Sequence, residues 1–151
     1  MEGKKVVVVH PFKETIEMQY EKRKYLFENP CILPEFELRV VKAVQTIAGQ
    51  RDERFSEWGE ALQYMYDECM KDDFDVAIIG CGAYGMPLAS MIKRAGKTAI
   101  HLGGVTQVLF GIKGGRWDHN ELSALYNDYW VRPLPSETPQ NANKVEKGCY
   151  W

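Results

Sequence analysis

The sequence predicts an α/β fold with a mostly parallel sheet, and three observations support that prediction. Residues 5–9 and 76–79 are continuously apolar, and strands without alternation are typical of parallel sheets that are covered on both faces. Segments with strand character alternate along the chain with segments of helical periodicity. Glycine-rich turns follow two of these strands, at positions 80–85 and 103–104, as expected where a strand leads into a helix.

The first half of the chain is predicted to contain two strands and two helices. Residues 5–9 form the first strand, which Pro11 ends, and a charged helix follows over residues 13–27. Apolar and charged residues alternate over 36–44, which predicts the second strand. Ser56 is placed to cap a helix that runs through residue 70 with one apolar stripe, in which Trp58 is included.

The second half of the chain continues the alternation and then becomes irregular. Its predicted elements are a strand at 76–79, a helix at 86–95, a strand at 98–102, a short helix at 105–110, a flexible loop at 111–115 and a short helix at 120–126. Prolines and polar residues dominate from residue 132 onward. We therefore expect a single Rossmann-like, doubly wound domain over residues 1–131, with helices on both faces of its sheet. Residues 132–151 are predicted to be an irregular tail packed on that domain.

The composition limits the kinds of partner that this chain is expected to have. A length of 151 residues fits one domain, and a net charge of −2 argues against a nucleic-acid-binding surface. No apolar run approaches the length of a membrane span. The four cysteines form no zinc-binding pattern and are expected to be reduced thiols. We therefore expect a cytoplasmic protein with no bound metal of its own.

Gly80, Gly82 and Gly85 fit the pattern G-x-G-x-x-G directly after a predicted strand. In such a turn the glycines permit a tight bend, close approach of a ligand, and close packing of the helix on the strand. The N-terminus of the following helix suits a phosphate. A dinucleotide site would also need an acid at the end of the strand at 98–102, where the chain has none. An alternative is that the glycines serve only the turn.

Parallel sheets bind ligands beyond the carboxyl ends of their strands, and this rule selects the candidate site residues. The candidate catalytic residues are His10 and His101, which follow the first and fourth predicted strands. In the loop 111–117, the side chains of Lys113 and Arg116 could close over a diphosphate while the indole of Trp117 stacks on a base or sugar. The candidate ligand-binding residues are Gly80, Gly82, Tyr84, Gly85, His101, Gly103, Gly104, Gln107, Lys113, Arg116 and Trp117.

Asp73 and Asp75 spell D-x-D, a pattern that glycosyltransferases use to hold a metal and a nucleotide diphosphate. The pair precedes the strand at 76–79 and so is expected at the amino end of the sheet, away from the predicted crevice. Carboxylates in that position are typically solvated turn residues. We therefore predict no metal at this pair.

The stretch GAYGMPLASMIKRAGKTAIHLGGVTQVLFGIKGGRW, residues 82–117, resembles bacterial and viral proteins found with surface-polysaccharide genes. Those proteins are related to the GT-D glycosyltransferase fold, and the likeness extends from VVVVHPF to the closing CYW. The resemblance implies a nucleotide-sugar-dependent transferase in surface or capsular polysaccharide biosynthesis. Its ligand would be a nucleotide sugar or another phosphorylated small molecule.

Members of that family are longer and carry an arginine-glycine-acid motif in an upstream half, to which nothing in this chain corresponds. The resemblance implies that this motif serves a divalent metal or the acceptor. Such a metal would then come from a partner segment, either a second protein half or another copy of the chain. Two other functions stay open, namely a non-catalytic nucleotide-binding module that needs a partner chain and an NAD(P)-binding oxidoreductase.

Overall fold

A four-stranded, all-parallel sheet forms the centre of the structure, a computed structural model that describes residues 1–47, 49–144 and 146–151. The spatial order of the strands is β2-β1-β3-β4. The strands are β1 (Lys5–His10), β2 (Glu37–Lys42), β3 (Val76–Ile79) and β4 (Thr98–His101). The predicted α/β class and parallel sheet are therefore confirmed, and each predicted strand overlaps an observed one.

The register of the sheet brings the ends of its strands to one edge. Val9 of β1 pairs with Ile79 of β3, which in turn pairs with His101 of β4. On the other side of β1, His10 pairs with Lys42 of β2. His10 and His101 consequently lie at the same edge of the sheet, on strands separated only by β3.

Within the described residues, five α-helices connect and follow these strands. They are α1 (Lys13–Glu21), α2 (Arg23–Leu26), α3 (Trp58–Met70), α4 (Gly85–Arg94) and α5 (Val105–Leu109). The helix predicted at 13–27 is divided at Lys22, whose N–H bonds the carbonyl of Gln19 while its own carbonyl accepts from Tyr25. The helix predicted at 120–126 is a 3-10 helix, Glu121–Leu125.

The N-terminus of α3 differs from the prediction that Ser56 caps it. Glu57 is the N-cap, and it forms a reciprocal capping box with Glu60. The Glu60 carboxylate reaches back and accepts hydrogen bonds from the N–H and the hydroxyl of Ser56, at 2.7 and 2.8 Å. Ser56 is therefore a donor to the cap, because the longer carboxylate side chain takes the accepting role.

The side chains of β1 alternate between two apolar core clusters. Val7 and Val9 belong to a cluster that includes residues of α3 and α4, among them Met65 and Leu88. Val6 and Val8 belong to a second cluster, with residues of α1, α2 and α5 and with several later aromatic residues. This division explains why the strand reads as uninterrupted valine, since both sets of side chains are removed from water.

The segment from residue 132 onward forms hydrogen bonds with the start of helix α1. The buried carboxylate of Glu137 accepts hydrogen bonds from the backbone N–H of Glu14, at 2.8 Å, and from the hydroxyl of Thr15. The Thr15 hydroxyl in turn accepts from the N–H of Leu134 at 3.1 Å. Glu137 therefore satisfies free N–H groups at the start of α1 from more than one hundred residues away. Within the described residues, the structure contains no helix with the length and apolarity needed to cross a membrane.

Candidate functional site

A cavity of about 370 Å³ opens at the carboxyl edge of the sheet, where β1 and β3 end. Most of its wall comes from four separate parts of the chain, namely the ends of these two strands, the segment after β2, and the tail. The lining side chains are predominantly apolar or aromatic. The lining residues are His10, Pro11, Phe12, Val44, Gln45, Thr46, Ile47, Trp58, Gly80, Cys81, Gly82, Ala83, Tyr84, Gly104, Gln107, Tyr150 and Trp151.

The glycine turn after β3 lines this cavity and leaves backbone donors unused. The N–H of Gly80 bonds the carbonyl of Val9, at 2.9 Å, and so continues the sheet. Among the described residues, no hydrogen bond uses the N–H groups of Cys81, Gly82 or Ala83. Burial raises the pKa of the Cys81 thiol to about 12, so this side chain packs as a neutral group. The turn thus offers unused N–H donors, which suit an anionic oxygen.

The three glycines of the turn are required for two different reasons. A Cβ atom at Gly80 would lie 2.5 Å from the Thr106 hydroxyl oxygen and 2.7 Å from Cδ2 of His10. A Cβ atom at Gly85 would lie 2.2 Å from Cε1 of His101. At Gly82 there is open space around such an atom, but the backbone has φ of +57°. Gly82 is therefore needed for its backbone conformation, whereas Gly80 and Gly85 are needed because a side chain at either position would overlap a neighbouring side chain.

Aromatic rings form two walls of the cavity. Trp58 of α3 and Tyr84 of the turn are stacked, with ring centroids 5.0 Å apart and planes inclined by 6°. Tyr150 and Trp151 of the tail approach each other edge to face. The sequence identifies Tyr84 as a candidate and misses Trp58, Tyr150 and Trp151. The periodicity of α3 places Trp58 in the core stripe, whereas the structure leaves 47% of its surface exposed.

His10 lies in the cavity wall as a neutral imidazole. Its Nδ1 accepts a hydrogen bond from the backbone N–H of Phe12, at 3.1 Å. Burial lowers the pKa of His10 from 6.5 to about 3, because a charged ring would lose its hydration there. At neutral pH this side chain is consequently a donor or acceptor of hydrogen bonds rather than a cationic acid.

His101 shares the sheet edge with His10 but is absent from the cavity lining. Its ring packs against the backbone of Gly85 at the start of α4. Its Nδ1 is buried and has no hydrogen-bond partner among the described residues. The structure therefore brings His10 to the cavity and places His101 behind the glycine turn.

The loop 111–117, predicted to be mobile, is anchored at several points. Lys113 donates its backbone N–H to the carbonyl of Val131, and Arg116 donates to the carbonyl of Cys149, both at 2.7 Å. The side chain of Gln107 donates to the carbonyl of Lys113 at 3.2 Å. Trp117 is buried in a core cluster and is not free to stack on a ligand.

The two cations of this loop lie outside the cavity wall. The Lys113 ammonium lies 5.4 Å from the centre of the Tyr126 ring, and the Arg116 guanidinium lies 4.5 Å from the centre of the Tyr150 ring. Neither side chain belongs to the lining. Since Tyr150 does line it, Arg116 contacts the site through this ring.

Gly104 and Gln107 line the cavity, whereas Gly103 does not. A Cβ atom at Gly104 would lie 2.6 Å from the ring of Tyr150, so this glycine provides the space that the tail occupies. The amide of Gln107 also donates to the carbonyl of Tyr150, at 3.2 Å. These two residues therefore hold the tail in the position where it forms a wall.

A second depression of about 280 Å³, here named the polar groove, adjoins the cavity. The two share Pro11, Val44 and Gln45 in their walls. Its charged side chains are Lys42, Asp52, Arg54 and Glu137. Lys42 bonds the carboxylate of Glu14 at 3.0 Å, and Arg54 pairs with Asp52 at 2.6 Å. The groove thus presents mixed polar groups rather than an excess of one charge.

The described residues do not fit the divalent metal that the resemblance implies. The described cavity lining includes no carboxylate, and this part of the chain contains no group of three or more histidine, cysteine or acidic side chains able to hold a metal ion. Asp75 lies at the amino end of β3, where it accepts a hydrogen bond from the N–H of Lys5 at 2.8 Å. Asp73 pairs with Lys97. We therefore assign no step to a metal.

Comparison with known protein families, curated proteins and solved structures finds no match to this chain. No relative supplies a ligand or a reaction for the cavity. The geometry of the cavity and the chemistry of its lining are therefore the basis for any function assigned to it.

Proposed function

We propose that the cavity binds a nucleotide sugar and that the chain is a glycosyltransferase-like protein or domain acting in the cytoplasm in surface polysaccharide biosynthesis. The observation that carries this proposal is the glycine turn, whose residues line an aromatic cavity at the carboxyl edge of a parallel sheet and whose N–H groups at 81–83 make no hydrogen bond within the described residues. The sequence resemblance of residues 82–117 supports the transferase part of the proposal.

The proposal takes the fold to be a Rossmann-like, doubly wound sheet with helices on both faces. The order β2-β1-β3-β4 puts the second and third strands on opposite sides of the first. In doubly wound sheets the ligand crevice opens where the strand order reverses, which here is between β1 and β3. The cavity lies at the ends of these two strands. The two core clusters, each with its own helices, support the double covering.

The lining chemistry supports a nucleotide rather than a wholly charged ligand. No lysine, arginine or carboxylate belongs to the described lining, so the interior favours an uncharged ring system. A base can stack against the exposed Trp58, while phosphate oxygens accept from the N–H groups of residues 81–83. The helix α4, which begins at Gly85, adds the favourable end of its dipole.

A second candidate function is a non-catalytic nucleotide-binding module that requires a partner chain. The specific observation in its favour is that the described lining lacks a carboxylate, which a transferase would use as a base or metal ligand. A partner segment or second copy would then supply that group. The two candidates share the nucleotide site and differ in whether this chain alone transfers a sugar.

A thermal-denaturation panel tests the nucleotide site directly. The ligands are UDP-, GDP- and dTDP-sugars, with NAD and NADP for comparison. A ligand at 100 times its dissociation constant stabilises the folded state by about 2.7 kcal/mol. Stabilisation by NAD or NADP alone would contradict the proposal, and stabilisation by a nucleotide sugar supports it.

The glycines of the chain provide a matched pair of variants for the same panel. Gly82 and Gly96 both have positive φ and open space where a Cβ atom would lie, but only Gly82 lines the cavity. Gly82→Val and Gly96→Val should therefore impose similar backbone strain. We expect loss of nucleotide binding only in Gly82→Val. Equal binding by the two variants would show that the turn is not the binding element.

A further inference from the structure

The side chain of His10 is held in one orientation at the end of β1. It is 4% exposed and lines the cavity beside the glycine turn. Its Nδ1 accepts from the N–H of Phe12, and its ring meets the ring of Phe12 edge to face, with centroids 4.8 Å apart. These two contacts restrict the rotation of the imidazole, so its other nitrogen has a defined position.

The bond to Phe12 also determines which nitrogen carries the proton. A backbone N–H can only donate, so Nδ1 must present a lone pair. In the neutral imidazole the single proton then resides on Nε2. His10 is therefore a hydrogen-bond donor at Nε2.

The Nε2–H group lies next to the glycine turn. Cδ2, which is bonded to Nε2 in the ring, would be 2.7 Å from a Cβ atom at Gly80. No hydrogen bond in the described part of the chain uses Nε2 of His10. The hydroxyl of Thr106 is also close to Gly80 and has no partner among the same residues, but Thr106 is absent from the lining. Nε2 of His10 is not one of the fully buried atoms that lack a partner, so it is accessible to a ligand or a water molecule in the cavity.

We infer that His10 is a neutral donor that binds the ligand, with its Nε2–H directed at a phosphate oxygen of a nucleotide held over residues 81–83. This inference rests on the proposed nucleotide site and adds a side-chain contact to it. The contact joins the backbone N–H groups of the turn as a further donor to the same anionic group. The role requires no gain or loss of a proton by the ring.

Two substitutions separate the bond to Phe12 from the bond to the ligand. In His10→Asn the amide oxygen can occupy the position of Nδ1 and keep the Phe12 contact, but the donor at Nε2 is lost. In His10→Gln the longer side chain can place an N–H near the position of Nε2. Thr106→Val is the matched control, because it removes an unpartnered hydroxyl beside the same glycine without changing the lining.

Calorimetric titration with UDP and with GDP measures the effect of each variant. We expect His10→Asn to weaken the better-bound nucleotide by about tenfold to hundredfold, as for loss of a hydrogen bond to a charged group. His10→Gln should recover most of that affinity, and Thr106→Val should bind like the wild type. Wild-type affinity in His10→Asn, or equal losses in the Asn and Gln variants, would overturn the donor role while leaving the nucleotide site intact.

Nitrogen-15 NMR of labelled histidine provides an independent readout on the unaltered protein. The expected spectrum has the His10 proton on Nε2 without ligand and a displaced Nε2–H resonance when UDP or GDP is bound. A proton on Nδ1 in the free protein would overturn the inference whatever the ligand. If neither nucleotide bound the wild type, the inference and the proposed nucleotide site would both be contradicted.

Discussion

Acidification should destabilise this protein through His10 before most of its carboxylates titrate. The pKa of His10 is lowered by burial to about 3 in the folded chain and is about 6.5 in an unfolded one. Between these values the unfolded chain binds a proton that the folded chain does not. The stability that neutral His10 confers is therefore complete above pH 6.5 and decreases as the pH falls toward 3.

The magnitude follows from the separation of the two pKa values. Each pH unit below 6.5 removes about 1.4 kcal/mol from the free energy of unfolding, until the folded-state pKa is reached. At pH 5 the loss attributable to His10 is therefore about 2 kcal/mol. Such a loss is a substantial part of the stability of a typical domain, which is about 5–15 kcal/mol.

Urea denaturation at pH 7, 6 and 5 measures this loss in the wild type and in His10→Gln. The variant cannot titrate at this position, so its stability should fall by about 2 kcal/mol less than that of the wild type between pH 7 and 5. His119→Gln is the control, because it removes a histidine that is exposed. If the wild type and His10→Gln lost stability in parallel, the neutral, buried state assigned to His10 would be refuted.

Three further substitutions test the packing around the site. Gly85→Ala should lower the free energy of unfolding by about 1–3 kcal/mol, because its methyl group would overlap the ring of His101. In thermal denaturation, the double variant with His101→Ala should recover part of that loss. Glu137→Ala should cost about 1.5–3 kcal/mol in urea denaturation, because two donors of the first helix turn lose their acceptor, and an unchanged midpoint would contradict this. Trp58→Ala should weaken nucleotide binding by about 1–3 kcal/mol in calorimetry, and undiminished affinity would exclude stacking on this ring.

The sheet was predictable because its signal is local. Residues 76–79 form a uniformly apolar run between Asp75 and Gly80, and the predicted and observed bounds of that strand coincide. The valine run of β1 was equally clear. The division of the first helix at Lys22 was not predictable, because it depends on one turn with hydrogen bonds between residues three apart, and no residue type in this segment indicates such a turn.

The cavity was predictable only where it follows directly from strand position. His10 and the glycine turn were found because parallel strands end at one edge. The tail wall was missed, since the docking of Tyr150 depends on contacts with residues far away in sequence, such as Gln107. The glycines of 111–115 suggested mobility, but a Cβ atom at Gly114 would lie 2.6 Å from Nε2 of Gln107, so this glycine provides clearance.

The tail that forms one wall of the cavity connects ligand binding to its own attachment. Tyr150 and Trp151 face the cavity, while Glu137 and the backbone of Arg116 secure the same segment elsewhere. A ligand that contacts both the tail and the strand ends stabilises the docking of the tail on the sheet. Because the coupling is reciprocal, a change that detaches the tail must lower the affinity for the ligand. Bound ligand must likewise raise the free energy needed to open the tail by the same amount, and so protect the tail from proteolysis. The rate of proteolytic cleavage of the tail therefore reports the fraction of cavities that hold a ligand. This measurement does not require knowledge of the reaction that the ligand undergoes.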